Sequence, residues 1–210
     1  SSAVVFCNTK RETEMIANYL KKQGFVAMAL HGDLDQKERD EVLVQFDNKS
    51  ITLIIATDVA ARGLDIDALD LVVNYQIARD LDVHVHRVGR TGRAGSKGLA
   101  CTLVNQKENY KLNLLEKHLG KPITINVLPE LESLTDKPKL PENLSLKING
   151  GKKQKLRPGD ILGALTAGKD IDAHAIGKIN IFDFFSYVAV NREMIKIALA
   201  KINQGKIKGR

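Results

Sequence analysis

Residues 51–66 read ITLIIATDVAARGLDI, an isoleucine-rich apolar run that gives way at Thr57 to a polar stretch holding Asp58, Arg62 and Asp65. A strand that is apolar at successive positions, rather than at every second one, is covered on both faces, as in a parallel sheet. Open α/β sheets place ligand sites beyond the carboxyl ends of such strands. Thr57 and nearby backbone amides therefore suit a phosphate, with Asp58, Arg62 and Asp65 beside it. Helix capping by Thr57 or Asp58 would explain those two residues equally well.

Outward from this run, similar stretches alternate with helix-period segments. AVVFCNT (3–9) and VAMALHG (26–32) precede it; LDLVVNYQ (69–76), GLACTLVN (98–105) and PITINVL (122–128) follow. Helices are expected after Thr9 to about Lys22, from about Gln36, and from about Gln106 to Leu119. Thr9 with Glu12, Asp35 with Glu38, and Asn105 with Glu108 each have capping-box spacing, and Gly24 and Gly120 suit the left-handed turn past a helix end. The pattern predicts an α/β domain over 1–128, a parallel sheet with helices on both faces. Cys7 and Cys101 fall in strand-like runs and are expected to be buried, inert thiols.

Residues 129–143, PELESLTDKPKLPEN, hold three of the five prolines and read as a linker. Beyond it the order changes: a strand near LSLKI, a Pro-started helix at RPGDILGALTAG, strands in KINIF and SYVAV, and a helix from about Arg192 to Ile202. That β-α-β-β-α order over 144–210 is one strand short of a split-βαβ domain. Residue 3 already sits in a strand and the chain stops at KIKGR, where a closing strand is expected, so both ends read as cut.

Charge divides at the same place. Residues 1–143 carry 19 Lys and Arg against 20 Asp and Glu, whereas residues 144–210 carry 13 against 5, net +8. Such asymmetry suggests a polyanion for the C-terminal part. No stretch approaches the roughly 20 apolar residues that span a bilayer, and no tripartite leader opens the sequence, so no membrane partner and a cytoplasmic location are expected.

HVHRVGRTGRAG, residues 84–95, places Arg90 and Arg93 three apart after an expected helix. Two guanidinium groups so spaced can converge on one anion and meet charge building on phosphoryl oxygens. A basic, Gly-rich surface turn would have the same composition. Together with FCNTK (6–10), HGDLDQKER (31–39) and ATDVAARGLDI (56–66), however, HRVGRTGR resembles the ordered motifs of the second RecA-like domain of DEAD-box RNA helicases.

The resemblance implies that Arg90 and Arg93 are arginine fingers on the γ-phosphate of ATP and that Asp65 contacts the ribose. Gly32, Gln36, Arg39 and Thr57 would contact RNA, and Arg62 and His86 would couple the two sites. The chain has no G-x-x-x-x-G-K-[ST] loop and no Asp-Glu-Ala-Asp segment. In this family those lie on a preceding RecA-like domain, which would bind most of the ATP and its magnesium. The resemblance thus implies half of an ATPase site, inactive alone.

DFFSYVAV (183–190) aligns imperfectly with the aromatic strand of an RNA-recognition motif. Phe185 and Tyr187 share a face, but the basic, glycine and last aromatic positions are lost, so packing against a helix or linker weighs equally with base stacking. Lys152, Lys153, Lys155 and Arg157 crowd the first helix of this part, and Lys201, Lys206, Lys208 and Arg210 the chain end. INGGKKQKLRPGDILGALTAG and the NQGKIKGR ending are similar to the C-terminal domain of the bacterial DbpA group. That implies a divergent RNA-recognition-motif-like domain aimed at a hairpin of large-subunit ribosomal RNA in the pre-ribosomal large subunit. Lys147, Lys152, Lys153, Arg157 and Tyr187 are the candidate contacts. The alternatives are a non-catalytic RNA-binding module on a RecA-like scaffold and a DNA-directed relative.

Overall fold

Strands β1 (Ala3–Cys7), β2 (Ala27–Leu30), β3 (Leu53–Thr57), β4 (Leu71–Asn74) and β5 (Leu99–Thr102) form one sheet in the order β2-β3-β1-β4-β5, every pairing parallel. The structure is a computed structural model, and it describes residues 2–62, 69–92, 97–130, 137–205 and 207. Ile54, Ile55 and Ala56 of β3 are all 0% exposed, the two-sided burial expected from their unbroken apolar run. Because β3 and β4 flank β1, the carboxyl ends of these three strands open together where the strand order reverses, the usual place for a ligand site in such sheets.

Helices α1 (Lys10–Lys22), α3 (Asp58–Ala61), α4 (Leu81–Val88) and α5 (Asn109–Leu119) connect or follow the strands, and the parallel sheet carries helices on both faces. The α1 capping box is present: Thr9 N–H donates to Glu12 Oε2 at 3.0 Å, and Glu12 N–H to Thr9 Oγ1 at 3.3 Å. Asp80 caps α4 by accepting from the Asp82 and Val83 amides. Gly24 and Gly120 take φ of +90° and +66°, as the helix-ending turns require. Cys7 is fully buried, and its thiol is pushed up to about 12, first by burial; Cys101 is half-buried.

PITINVL is not a strand. Ile125, Val127 and Leu128 are 72%, 96% and 70% exposed, and the Ile123 amide donates to the Glu116 carboxylate at 2.9 Å instead of to a neighbouring strand. Alternating apolar residues form a strand only where a ladder partner exists, and prolines at 122 and 129 bracket this segment with residues that cannot donate.

The chain clusters into two compact units, Ser1–Asp35 with Leu53–Lys139, and Gln36–Thr52 with Leu140–Arg210. In the second, β6 (Asn143–Ile148), β7 (Ile176–Ile181) and β8 (Ser186–Asn191) form an antiparallel sheet in the order β6-β8-β7, with α6 (Pro158–Thr166) and α7 (Ile195–Gln204). This is the β-α-β-β-α order of the sequence. Pro158 opens α6, and Asp160 accepts from the Arg157 amide at 2.9 Å. One sheet face supplies Ile148, Val188 and Val190 to a core with Ile161, Leu165, Ile171 and Ala198.

The opposite face of this sheet is covered by residues 36–52, which include helix α2 (Gln36–Asp47). Asn48 Nδ2 donates to Ser145 Oγ at 3.0 Å, and Ser50 Oγ lies 2.6 Å from the same oxygen. Lys147 pairs with Glu41 at 3.1 Å and Lys178 with Asp47 at 2.5 Å. The alternation of strand β6 sends Ser145 and Lys147 to one side and Leu146 and Ile148 to the other.

Candidate functional site

The carboxyl ends of β1, β3 and β4 are tied together by Arg87, the second residue of HRVGRTGR, which is only 2% exposed. Its Nε donates to Asp58 Oδ1 at 2.6 Å; its Nη2 donates to Asp58 Oδ2 at 2.7 Å and to Asn8 Oδ1 at 2.9 Å; its Nη1 donates to the Gln76 carbonyl at 3.1 Å. The guanidinium also lies 5.3 Å from the centre of the Phe6 ring. A planar five-donor fork can satisfy three separate segments at once, which an ammonium cannot. Asp58 is thereby occupied by Arg87, and Thr57, at the cap position of α3, makes no side-chain capping bond. The capping explanation for these two residues does not hold.

Helix phase sorts the rest of the segment. His84 and Arg87, three apart on α4, point inward and are buried. Val83 and His86, also three apart, line a cavity of about 420 Å³ with Phe6, Arg62 and Arg90. Three sequence motifs thus meet at one recess: FCNTK through Phe6, ATDVAARGLDI through Arg62, and HRVGRTGR through His86 and Arg90. His84 is held neutral, its pKa lowered to about 4, first by burial and then by the nearby Arg87 charge.

Arg90 sits on the turn that follows α4. Its amide donates to the Arg87 carbonyl at 3.1 Å and its carbonyl accepts from Leu69 N–H at 3.1 Å, while Thr91 bridges to Leu69 and its hydroxyl donates to the Leu69 carbonyl. Gly98 passes against this turn. A Cβ there would lie 1.8 Å from Thr91 Oγ1 and 2.9 Å from the Leu69 carbonyl oxygen, so only glycine lets the chain pass so close. Arg90 is therefore carried on a backbone pinned from two sides.

Asp65 and Arg93 lie outside the described residues, as do Lys206, Lys208 and Arg210. Gly32 is exposed with open space around its Cα, and Gln36 and Arg39 lie on α2 with Gln36 exposed. Among the basic residues of the second unit, Lys152, Lys153 and Arg157 are exposed, whereas Lys201 is bound to the Ala167 carbonyl and to Asp170.

Tyr187 is a correction. It is 2% exposed, with its ring 6.2 Å from Phe182 and 5.7 Å from Phe185 and with Lys147 Nζ 5.5 Å from its centre. It shares a face with Phe185 as the strand period requires, but that face is packed, and the ring offers no base a stacking surface.

Sequence reasoning missed Arg87. Arginine in a basic, Gly-rich segment suggests solvent or ligand, and the one available signal was its three-residue spacing from His84 on an otherwise amphipathic helix.

A parallel α/β sheet whose strand ends gather a cationic recess from three helicase-type motifs, followed by a basic antiparallel domain, defines the C-terminal region of a nucleic-acid helicase. Residues 1–95 match the helicase conserved C-terminal domain family, and residues 145–210 match the DbpA RNA binding domain family. The chain belongs to the DEAD-box RNA helicases, within which it is a DbpA-like C-terminal region with an RNA-binding domain.

It is 45% identical over 210 residues to the ATP-dependent RNA helicase DbpA of Escherichia coli (strain K12), covering 100% of this chain and 46% of that protein. It therefore spans under half of that relative's length. The crystal structure of the E. coli DEAD-box protein SrmB bound to regulator of ribonuclease activity A superimposes with a TM-score of 0.58 at 32% identity, covering 67% of this chain and 81% of that one. The structure of S. cerevisiae Dbp5 bound to RNA and ADP BeF3 gives 0.53 at 35% identity, covering 57% of this chain and 32% of that one.

Proposed function

We propose that this chain is the C-terminal part of an ATP-dependent helicase that opens short RNA duplexes, most specifically in large-subunit ribosomal RNA during ribosome assembly in the cytoplasm. The observation that carries the reading is the recess where Arg62, His86 and Arg90 meet at the strand ends. Its cationic wall suits the oxygens of a phosphoryl group in transfer. The guanidinium groups that line the recess fit the phosphates, while magnesium would be held by carboxylates of a preceding RecA-like domain. ATP supplies the phosphoryl group, and this chain supplies charge and orientation.

In this reading Arg90 and Arg93 act as arginine fingers, and Asp65 contacts the ribose. Gly32, Gln36, Arg39 and Thr57 hold the RNA backbone, contacts that read no sequence and suit a general clamp. His86 and Arg62, on one wall, couple nucleotide and RNA. The likeness to Dbp5 captured with RNA and ADP BeF3 supports both ligands. The ribosomal RNA target rests on the likeness to E. coli DbpA and on the net charge of +8 in residues 144–210, where Lys147, Lys152, Lys153 and Arg157 are the candidate contacts.

The test is RNA-stimulated ATP hydrolysis and duplex opening by this chain joined to a matching first RecA-like domain, with the chain alone as control. Turnover only by the joined protein supports the proposal. RNA binding without any turnover in the joined protein would establish the non-catalytic module instead.

A further inference from the structure

A second recess, of about 370 Å³, lies entirely within the unit that joins residues 36–52 to the C-terminal sheet. The loop between β7 and β8 forms one wall: Phe182 and Phe185 stack with centroids 4.9 Å apart at 23°, and Phe184 beside them is 63% exposed. Gln36 and Lys37, from the first turn of α2, and Lys152 line the same recess.

This arrangement is built into the backbone. The Lys152 and Lys153 amides donate to the Phe182 and Asp183 carbonyls at 2.8 and 2.9 Å. A Cβ on Gly151 would lie 2.1 Å from the Phe182 carbonyl oxygen, so the close approach of the two loops requires glycine. Lys152 and the aromatic loop are consequently fixed relative to each other.

We infer that this recess is a slot for one nucleotide of single-stranded RNA, its base stacked on Phe184 and its phosphates at Lys37 and Lys152. The inference rests on the RNA-binding reading above and adds a site to it. A lone exposed phenylalanine is unremarkable. An exposed ring that lines one recess with two lysines and with hydrogen-bonding groups matches the three parts of a nucleotide: π-face, phosphate and base edge.

The sheet face cannot do this, because Tyr187 is buried beneath residues 36–52. An acidic peptide fits less well, because its carboxylates bring no ring to stack on Phe184 and no donor to meet Asp40 and Asp183. Carboxylates accept and do not donate, so they favour a base bearing an exocyclic amino group, as in adenine, cytosine or guanine, over uracil. Gln36 already donates to Asp40 at 2.8 Å, which leaves its carbonyl as a further acceptor.

The chain contains no tryptophan, so Phe184→Trp installs a unique reporter in the slot. The experiment titrates the full chain carrying this substitution with ten-nucleotide oligo(A), oligo(U) and polyglutamate, reading tryptophan emission and, in parallel, anisotropy of labelled RNA. Oligo(A) is expected to quench the emission with the same midpoint as the anisotropy, and oligo(U) to bind more weakly. Phe184→Ala, at an exposed position that folding tolerates, is expected to weaken oligo(A) binding about tenfold.

RNA binding with unchanged emission, or unchanged affinity in Phe184→Ala, overturns the slot and leaves the proposed function standing. Quenching by polyglutamate but not RNA overturns it in favour of an acidic protein partner. Failure of the unaltered chain to bind any RNA removes the slot and the RNA-binding reading together.

Discussion

Arg87 and Asp58 form a two-pronged ion pair, Nε to Oδ1 at 2.6 Å and Nη2 to Oδ2 at 2.7 Å, that fastens helix α4 to the end of strand β3. Removing Arg87, which is 2% exposed, strips the partly buried Asp58 of its partner and takes a donor from Asn8 and from the Gln76 carbonyl. Arg87→Ala is expected to destabilise the fold by about 3–5 kcal/mol. Arg87→Lys should recover little, since an ammonium cannot reach Asp58, Asn8 and Gln76 together. Urea unfolding of the single variants and of Arg87→Ala/Asp58→Ala checks this: the double variant should cost less than the sum of the singles. Additive losses would show that the pair is not coupled.

His84 makes stability depend on pH. Its folded pKa is lowered from 6.5 to about 4, so between those values the unfolded chain binds more protons than the folded one. The contribution is fully present above about pH 6.5, declines as pH falls, and is lost by about pH 4, a change on the order of 3 kcal/mol. His84→Gln should flatten this part of the profile in thermal melts taken from pH 7 to pH 4. An unchanged slope would assign the acid sensitivity to other groups.

Tyr187 separates packing from RNA contact. Tyr187→Ala removes a buried ring from the cluster with Phe182 and Phe185 and should lower stability by about 3 kcal/mol, read as a fall in melting temperature. A ring serving RNA alone would leave the melt unchanged and lower only RNA affinity.

The parallel sheet was legible because burial on both faces leaves an unbroken apolar run, and 54–56 is such a run with every residue at 0% exposure. The capping box of α1 was legible for the same local reason: Thr9 and Glu12 are three residues apart and satisfy each other without help from the rest of the fold. What the sequence hid depends on long-range partners. PITINVL alternates like a strand, yet a strand needs a neighbour, and the Ile123 amide goes to Glu116. Tyr187 alternates like an exposed sheet residue, yet residues 36–52, far earlier in the chain, cover its face. Arg87 looks like its neighbours in a basic segment, and its partners Asn8, Asp58 and Gln76 come from three different strand ends. The recess itself was half legible: the motifs named Arg62, His86 and Arg90, but their meeting at one wall is a property of the topology.

Arg90 carries the central claim, that HRVGRTGR delivers charge to a phosphoryl group in transfer. The measurement is RNA-stimulated ATP turnover, with RNA affinity in parallel, for the chain joined to a matching first RecA-like domain, comparing the unaltered protein with Arg90→Ala and Arg93→Ala. The account predicts that each substitution lowers kcat by about a thousandfold or more while RNA affinity is kept. Equal turnover in the unaltered and substituted proteins would contradict it and leave the segment as a basic turn.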